Sequence, residues 1–125
     1  MDSILETIKK LDGILEDYEY FNTDIVLCIN TAFAVLNQLG VGPDDPFVIT
    51  GPDETWDEFD YDGSKEMIKS YIALRVRLFF DPPTSSYLVQ NINDQIKELE
   101  FRMLVDAEIP RYPEADMSDI YETEG

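Results

Sequence analysis

Histidine is absent from this chain of 125 residues, and cysteine occurs once. Without imidazole, the sequence excludes every catalytic triad that uses histidine as its base and every metal site with a histidine ligand. The single thiol, Cys28, allows no internal disulfide and no zinc site built from several thiolates. Because Cys28 lies in the apolar run 25–29, we interpret it as a small buried hydrophobic residue in a reducing compartment.

Basic residues are scarce as well: 9 lysines and arginines stand against 27 acidic residues, a formal net charge of -18. A molecule with this charge is not attracted to nucleic acid or anionic lipid by bulk electrostatics. No secretion signal is visible, and the most apolar stretch, residues 25–39, is shorter than the roughly 18 to 20 residues that a membrane span needs. We therefore expect a soluble intracellular protein.

The acidic excess is concentrated in two segments. Residues 44–63 carry eight acids and no base, and residues 106–125 carry seven acids and one base, whereas residues 64–105 are close to neutral. Prolines 110 and 113 end any helix near the second segment. We therefore predict a helical domain, residues 1–108, and an extended acidic C-terminal tail, residues 109–125.

Apolar spacing and capping residues predict an all-α fold, a small bundle of about four helices. The first helix begins at Ser3, which forms a capping-box pattern with Glu6, and ends near Gly13. The second has its cap among residues 22–24 and ends at Gly40. This second helix is apolar on more than one face, so it is either central in the domain or buries a face against another chain.

The third and fourth helices form an antiparallel hairpin around Pro82 and Pro83. Asp62 or Ser64 caps the third helix, and Thr84 or Ser85 caps the fourth. One stripe of the fourth helix is predicted to face the core; it consists of Leu88, Ile92, Ile96, Leu99 and Met103.

The long middle loop, residues 41–63, contains three prolines and three glycines, which excludes a continuous helix. Residues 47–50 form at most one short strand, which either lies flat on the body or pairs with an edge from another subunit. A loop of about 20 residues is typical of binding or assembly. Its aromatic residues, Trp56, Phe59 and Tyr61, either fold back onto the domain or pack on another chain.

No motif indicates catalysis or a metal. Carboxylates at positions 58, 60 and 62 before Gly63 resemble the start of a calcium-binding loop, but Lys69 occupies the position that needs a bidentate carboxylate. The carboxylates lack the apolar context that separates the pKa values of an acid–base pair, and no phosphate-binding loop is present. We therefore predict no enzyme activity, no cofactor and no metal site.

Two arginines, Arg75 and Arg77, interrupt the apolar third helix and lie about 160° apart around its axis. Each either extends past its packed stem to the surface or forms an ion pair across a subunit boundary. The acidic middle loop of a neighbouring copy is the candidate partner for such a pair.

Helix order and four sequence stretches carry a resemblance to a known family. These are SILETIKK at 3–10, LNQLGVGP at 36–43, MIKSYI at 67–72 and RVRLFFDPPTSS at 75–86. They resemble the head–tail connector, or head completion adaptor, family of long-tailed bacteriophages over roughly residues 3–108. The resemblance implies small subunits that form a ring, typically twelve-fold, beneath the portal. It also implies that DNA passes through this ring without specific binding.

The resemblance also implies a virion component, assembled in the host cytoplasm, that joins the head to the next neck or tail protein without a cofactor. On this hypothesis, contacts to a neighbouring subunit lie at Phe47, Val48, Ile49, Trp56, Arg75 and Arg77. Contacts to the portal or the next neck protein lie at Tyr112, Met117, Ile120 and Tyr121.

The net charge suggests an alternative, an acidic inhibitor that mimics DNA and blocks a host nuclease or restriction protein. A mimic arranges its acids in regular helical rows. Here the acids are concentrated in a loop and a tail, which favours the structural assembly protein.

Overall fold

A computed structural model describes residues 2–108, and four α-helices carry the regular structure of that range: α1 (Ile4–Leu11), α2 (Asn22–Gln38), α3 (Lys65–Phe80) and α4 (Ser86–Glu108). A single 3-10 turn, Trp56–Glu58, lies in the middle loop. The predicted all-α bundle is confirmed. The four predicted tail contacts, at positions 112, 117, 120 and 121, lie outside the described residues.

Residues 47–50, for which the sequence allows at most one short strand, form no strand and lie on the body of the domain. Within residues 2–108, β pairing is limited to one antiparallel bridge between Ser3 and Thr55. The reason is that the backbone N–H and C=O of Ile49 both bond to the side chain of Asn30 on α2. A side chain of the same domain therefore takes the place of a partner strand.

Serine caps begin three of the helices, as their sequences predict. The Oγ atoms of Ser3, Ser64 and Ser85 accept hydrogen bonds from backbone N–H groups three residues later, at 3.3, 3.2 and 3.4 Å. At the helix ends, Gly13 and Gly40 have φ values of 75° and 80°. These values lie in the left-handed region, where glycine is favoured.

The predicted side-chain cap of α2 is wrong. Its N-cap residue is Phe21, and no side chain bonds to the first turn. The Phe21 ring packs edge-on against Phe80 of α3 at 4.8 Å and stacks on Tyr20 at 4.6 Å. Aromatic packing between two helices therefore sets where α2 begins, and a local pattern does not show it.

Helix α3 packs against each of the other three helices and contributes much of the core, including Ile68, Tyr71, Ile72 and Val76. The stripe predicted on α4 is buried at Ile92, Ile96 and Met103, whereas Leu88 is exposed. Helix α2 buries one row of apolar residues and leaves Leu27 61% exposed. Its second apolar face is therefore not fully covered by residues 2–108.

A buried lysine holds the connection between α1 and α2. Lys9 is fully buried, and its Nζ atom donates to the backbone carbonyls of Glu16 and Tyr18 at 3.0 and 2.8 Å. Hydrogen bonds to a charged donor are stronger than neutral ones. Lys9 thereby brings residues 13–21 back along α1 toward the start of α2.

The helix directions define two ends of the bundle. At one end, the end of α3 meets the start of α2, where Phe80 contacts Phe21. At the other end, a Cβ placed on Gly40 lies 3.9 Å from the Cβ of Ala107, so the end of α2 meets the end of α4.

Candidate functional site

The middle loop, residues 41–63, lies against the core of its own domain. Ile49 and Trp56 are only 2% and 4% exposed, and Phe59 is fully buried. The Phe47 ring contacts Phe33 of α2 at 5.1 Å and Phe59 at 5.5 Å, both in edge-to-face geometry. These contacts give the loop an apolar inner side, although it contains no helix or strand of ordinary length.

Polar contacts tie the loop to α1 and α2. The Asn30 Nδ2 atom donates to the Ile49 carbonyl at 2.9 Å, and its Oδ1 atom accepts from the Ile49 N–H at 2.7 Å. The indole N–H of Trp56 donates to Thr7 Oγ1 at 3.1 Å. The two Asn30 bonds satisfy both the N–H and the C=O group of the buried Ile49. Backbone groups of a loop that packs on a core need such partners, because water does not reach them.

The outer side of the loop is acidic. Seven of the eight carboxylate residues in residues 44–63 are exposed: Asp44, Asp45, Asp53, Asp57, Glu58, Asp60 and Asp62. We call this the acidic loop surface. Among residues 2–108, no group of three or more carboxylate or thiol side chains has an arrangement that could hold a metal ion.

The loop residues predicted to contact a neighbouring subunit divide between the core and the surface. Ile49 and Trp56 are within the chain's own core, and Phe47 is partly buried against it. Val48 points outward and is 58% exposed. Of this loop set, Val48 therefore has the side chain most available to another molecule.

The two arginines of α3 have different surroundings. Arg75 Nη1 lies 3.4 Å from Glu100 Oε2 and 3.2 Å from the Tyr71 hydroxyl, which itself donates to Glu100 at 2.7 Å. Burial, and then the hydrogen bond to Glu100, raises the pKa of Tyr71. Arg75 thus joins α3 to α4 within one chain, whereas Arg77 is exposed.

An open groove of about 710 Å³ lies between α2, α3 and α4. Its rim includes two large exposed residues, Leu27 at 61% and Phe79 at 65%. Cys28 also lines it, and burial raises the pKa of this thiol, while Arg75 acts in the opposite direction. The sequence predicts Cys28 as a small buried hydrophobic residue, whereas the structure leaves it partly exposed at this groove.

A second recess, of about 820 Å³, lies where α1 and α3 end and α2 begins. We call it the bundle-end pocket. Its lining combines apolar and charged side chains: Leu11, Asp12, Ile14, Phe21, Asp24, Arg77, Phe79, Phe80 and Asp81. No periodic pattern indicated this pocket, because its carboxylates come from the termini of three different helices.

Asp12, the C-cap residue of α1, has the most perturbed carboxylate of this pocket. Burial raises its pKa from 3.8 to about 7, the charge of Asp81 acts in the same direction, and Arg77 opposes both. The Oδ2 atom is buried and accepts no hydrogen bond from the described residues. Ionisation of Asp12 therefore costs folding free energy at neutral pH.

We expect Asp12→Asn to stabilise the protein in a pH-dependent way. The pKa of Asp12 is higher in the folded than in the unfolded state. The free energy of unfolding of the wild type therefore falls as the pH rises from about 4 toward 7, and the loss stays constant above that. From pH 5 to pH 8, the difference in free energy of unfolding between variant and wild type should grow by about 1–2 kcal/mol. Urea titrations at both pH values measure it. Asp44→Asn, on the acidic loop surface, is the control; an equal rise there would contradict the assignment.

No helix within residues 2–108 is both long enough and apolar enough to cross a bilayer. Comparison with protein-family models gives a match over residues 4–109, to the family described as phage connector protein. Comparisons with curated proteins and with solved structures gave no match.

Proposed function

This chain belongs to the phage connector protein family, and from that premise we propose that it forms a ring beneath the portal of the phage head. In this proposal the ring joins the head to the next neck or tail protein. Members of this family are structural components of the virion, so the proposal assigns no catalytic role. The match over residues 4–109, almost all of the helical domain, is the observation that carries it.

Uncovered apolar residues support assembly with other chains. Leu27 on α2, Phe79 on α3, and Tyr87 and Phe101 on α4 are all more than half exposed. Several large apolar side chains on different helices of one small domain are typical of a protein whose surface is buried in an assembly. We propose that Val48 and this set contact neighbouring copies, as the sequence predicted for Val48.

The acidic loop surface suits a passage for DNA. Its seven exposed carboxylates repel phosphates, so DNA near this surface is not retained by electrostatic attraction. The same charge opposes closure of a ring from free subunits, since each copy carries -18. We therefore propose that the portal acts as a template, bound by Tyr112, Met117, Ile120 and Tyr121 of the tail.

Binding to the portal of the same phage tests this function. We expect the purified chain to bind portal rings saturably, at about one chain per portal subunit, and to elute with them in size-exclusion chromatography with light scattering. Salt that screens the acids should favour ring formation by the chain alone. The double variant Ile120→Asp, Tyr121→Asp should lose most portal binding, whereas Leu15→Asp, at a residue that is 72% exposed between α1 and α2, should retain it.

A chain that fails to bind portal at both low and high salt would overturn the proposal. Stoichiometric inhibition of a nuclease would instead support the acidic DNA mimic. The two outcomes are distinct, because a connector binds a protein ring and a mimic competes with DNA.

A further inference from the structure

The bundle-end pocket has apolar walls that the described residues, 2–108, leave uncovered. The rings of Phe21, Phe79 and Phe80 line it together with Leu11 and Ile14, and Phe79 is among the most exposed apolar residues of the described range. A recess of about 820 Å³ can receive several side chains of a partner. The apolar walls favour an occupant that brings apolar side chains of its own.

The charge at the pocket favours a cation. Asp12, Asp24 and Asp81 line it, against the single guanidinium of Arg77. Helices α1 and α3 both end here, so their free carbonyl groups add negative potential. Helix α2 begins here and contributes positive potential from its N-terminus, which the carboxylate of Asp24 in its first turn offsets. The complementary occupant therefore carries a basic side chain next to apolar ones.

Most cations in residues 2–108 are already engaged. Lys9 is buried on two carbonyls, and Arg75 and Arg102 pair with glutamates of α4. Lys65 bonds to the Trp56 carbonyl, and Lys69 pairs with Glu66. Beyond α4, the sequence continues Ile-Pro-Arg-Tyr-Pro at 109–113, in which Arg111 follows an apolar residue by two positions. An apolar residue and a basic residue two positions apart match the aromatic walls and the carboxylates of the pocket.

This segment cannot reach the pocket of its own chain. Ala107 lies at the Gly40 end of α2, and the pocket lies at the start of that helix. The 17 residues of α2 make it about 25 Å long. From Ala107 to Arg111 an extended backbone spans at most about 14 Å. The segment can therefore occupy this pocket only in a second copy of the chain.

We propose that residues 109–111 of one copy bind in the bundle-end pocket of a neighbouring copy, with Arg111 against Asp24 and Asp81 and Ile109 on Phe79. The proposal rests on the ring of the proposed function, since a head-to-tail contact between identical chains forms a ring when its rotation closes. It leaves the tail beyond position 111 free to bind the portal. It also places Arg111, the one basic residue at positions 109–125, between acidic subunits that would otherwise repel each other.

The experiment is a titration followed by two-dimensional NMR. A peptide with the sequence of residues 108–115, with both ends blocked, is added to the full-length chain carrying Arg111→Glu, so that the chain's own segment does not compete. We expect saturable shifts confined to amides around Asp24, Phe79 and Asp81. Asp81→Arg in the chain should weaken binding of the peptide at least about tenfold. A second peptide, which carries Arg111→Glu, should bind the Asp81→Arg chain better than it binds a chain that keeps Asp81.

The matched control is Asp44→Arg, which makes the same charge change on the acidic loop surface and should leave affinity within about twofold. Neighbouring copies in a ring present the segment at an effective concentration of order mM. Absence of binding at about 1 mM peptide therefore overturns the proposal, as does an equal loss with Asp44→Arg. If the peptide fails while the chain still binds portal, the connector function stands without this contact. If the peptide binds and the chain never binds portal, the contact stands and the connector function fails.

Discussion

Replacing Trp56 by alanine is expected to lower the free energy of unfolding by about 3–5 kcal/mol, the range for deleting a buried large aromatic side chain. Trp56 is 4% exposed and connects the middle loop to α1 through its indole N–H and Thr7. The variant loses the ring's packing, the hydrogen bond and the cation–π contact with Lys69 at 5.5 Å. Urea unfolding followed by far-UV circular dichroism measures the change, because the variant has no tryptophan left for fluorescence.

Two further variants make this result interpretable. Phe101→Ala removes an aromatic residue that is 65% exposed on α4 and should change stability by less than about 0.5 kcal/mol. Trp56→Phe keeps a ring but loses the indole donor, so its cost should lie between the two. A cost below about 1 kcal/mol for Trp56→Ala would mean that the loop does not pack on the core in solution.

Asn30→Ala should cost about 2–4 kcal/mol, although it removes only one polar side chain. The substitution leaves the N–H and C=O groups of Ile49 without their partner, and Ile49 is buried. Each unsatisfied buried group costs about 1–3 kcal/mol, and no neighbouring strand is present in the described residues to replace the bond. Thermal or urea unfolding of the variant gives the magnitude directly.

Asn37→Ala is the matched control, since Asn37 also donates from α2 to the middle loop. Its bonds to the carbonyls of Pro43 and Asp44, at 3.3 and 3.0 Å, involve a partly exposed and an exposed residue that water can solvate. We expect a cost near 0.5 kcal/mol. Equal costs for the two variants would show that the Asn30 bonds do not hold the loop. Hydrogen exchange at Ile49 provides an independent measurement, because its amide loses protection if the loop detaches.

Three helix starts could be predicted from sequence because the signals are local. A serine cap and the N–H that it satisfies are three residues apart, as at Ser3, Ser64 and Ser85, so the pattern contains both partners. The start of α2 could not be predicted in this way. Its position depends on Phe80, which is 59 residues away from Phe21 along the chain. Residues 47–50 also depend on a distant partner, because Ile49 bonds to Asn30, 19 residues away, so the sequence left open whether they pair as a strand or lie on the body.

The candidate contact residues show how far sequence could go toward the site. In the middle loop, Phe47, Ile49 and Trp56 pack toward the core and Val48 points outward. This arrangement depends on which side of the loop meets Phe33 and α1. Arg75 carries the same charge as Arg77, yet only Arg75 faces Glu100. The bundle-end pocket had no sequence signal, because the termini of α1, α2 and α3 meet only in the folded chain.

By itself, the sequence excluded sites that need histidine or several cysteines, and it determined the four helices and the concentration of acid in a loop and a tail. These properties follow from composition and from spacings within a few residues. Tertiary structure alone decided that the middle loop lies on its own core, with Asn30 as partner of Ile49 and carboxylates facing out, and that three helix termini form one acidic, apolar pocket. Those outcomes require hydrogen bonds and ring contacts between residues 19 to 59 positions apart, which no local pattern specifies.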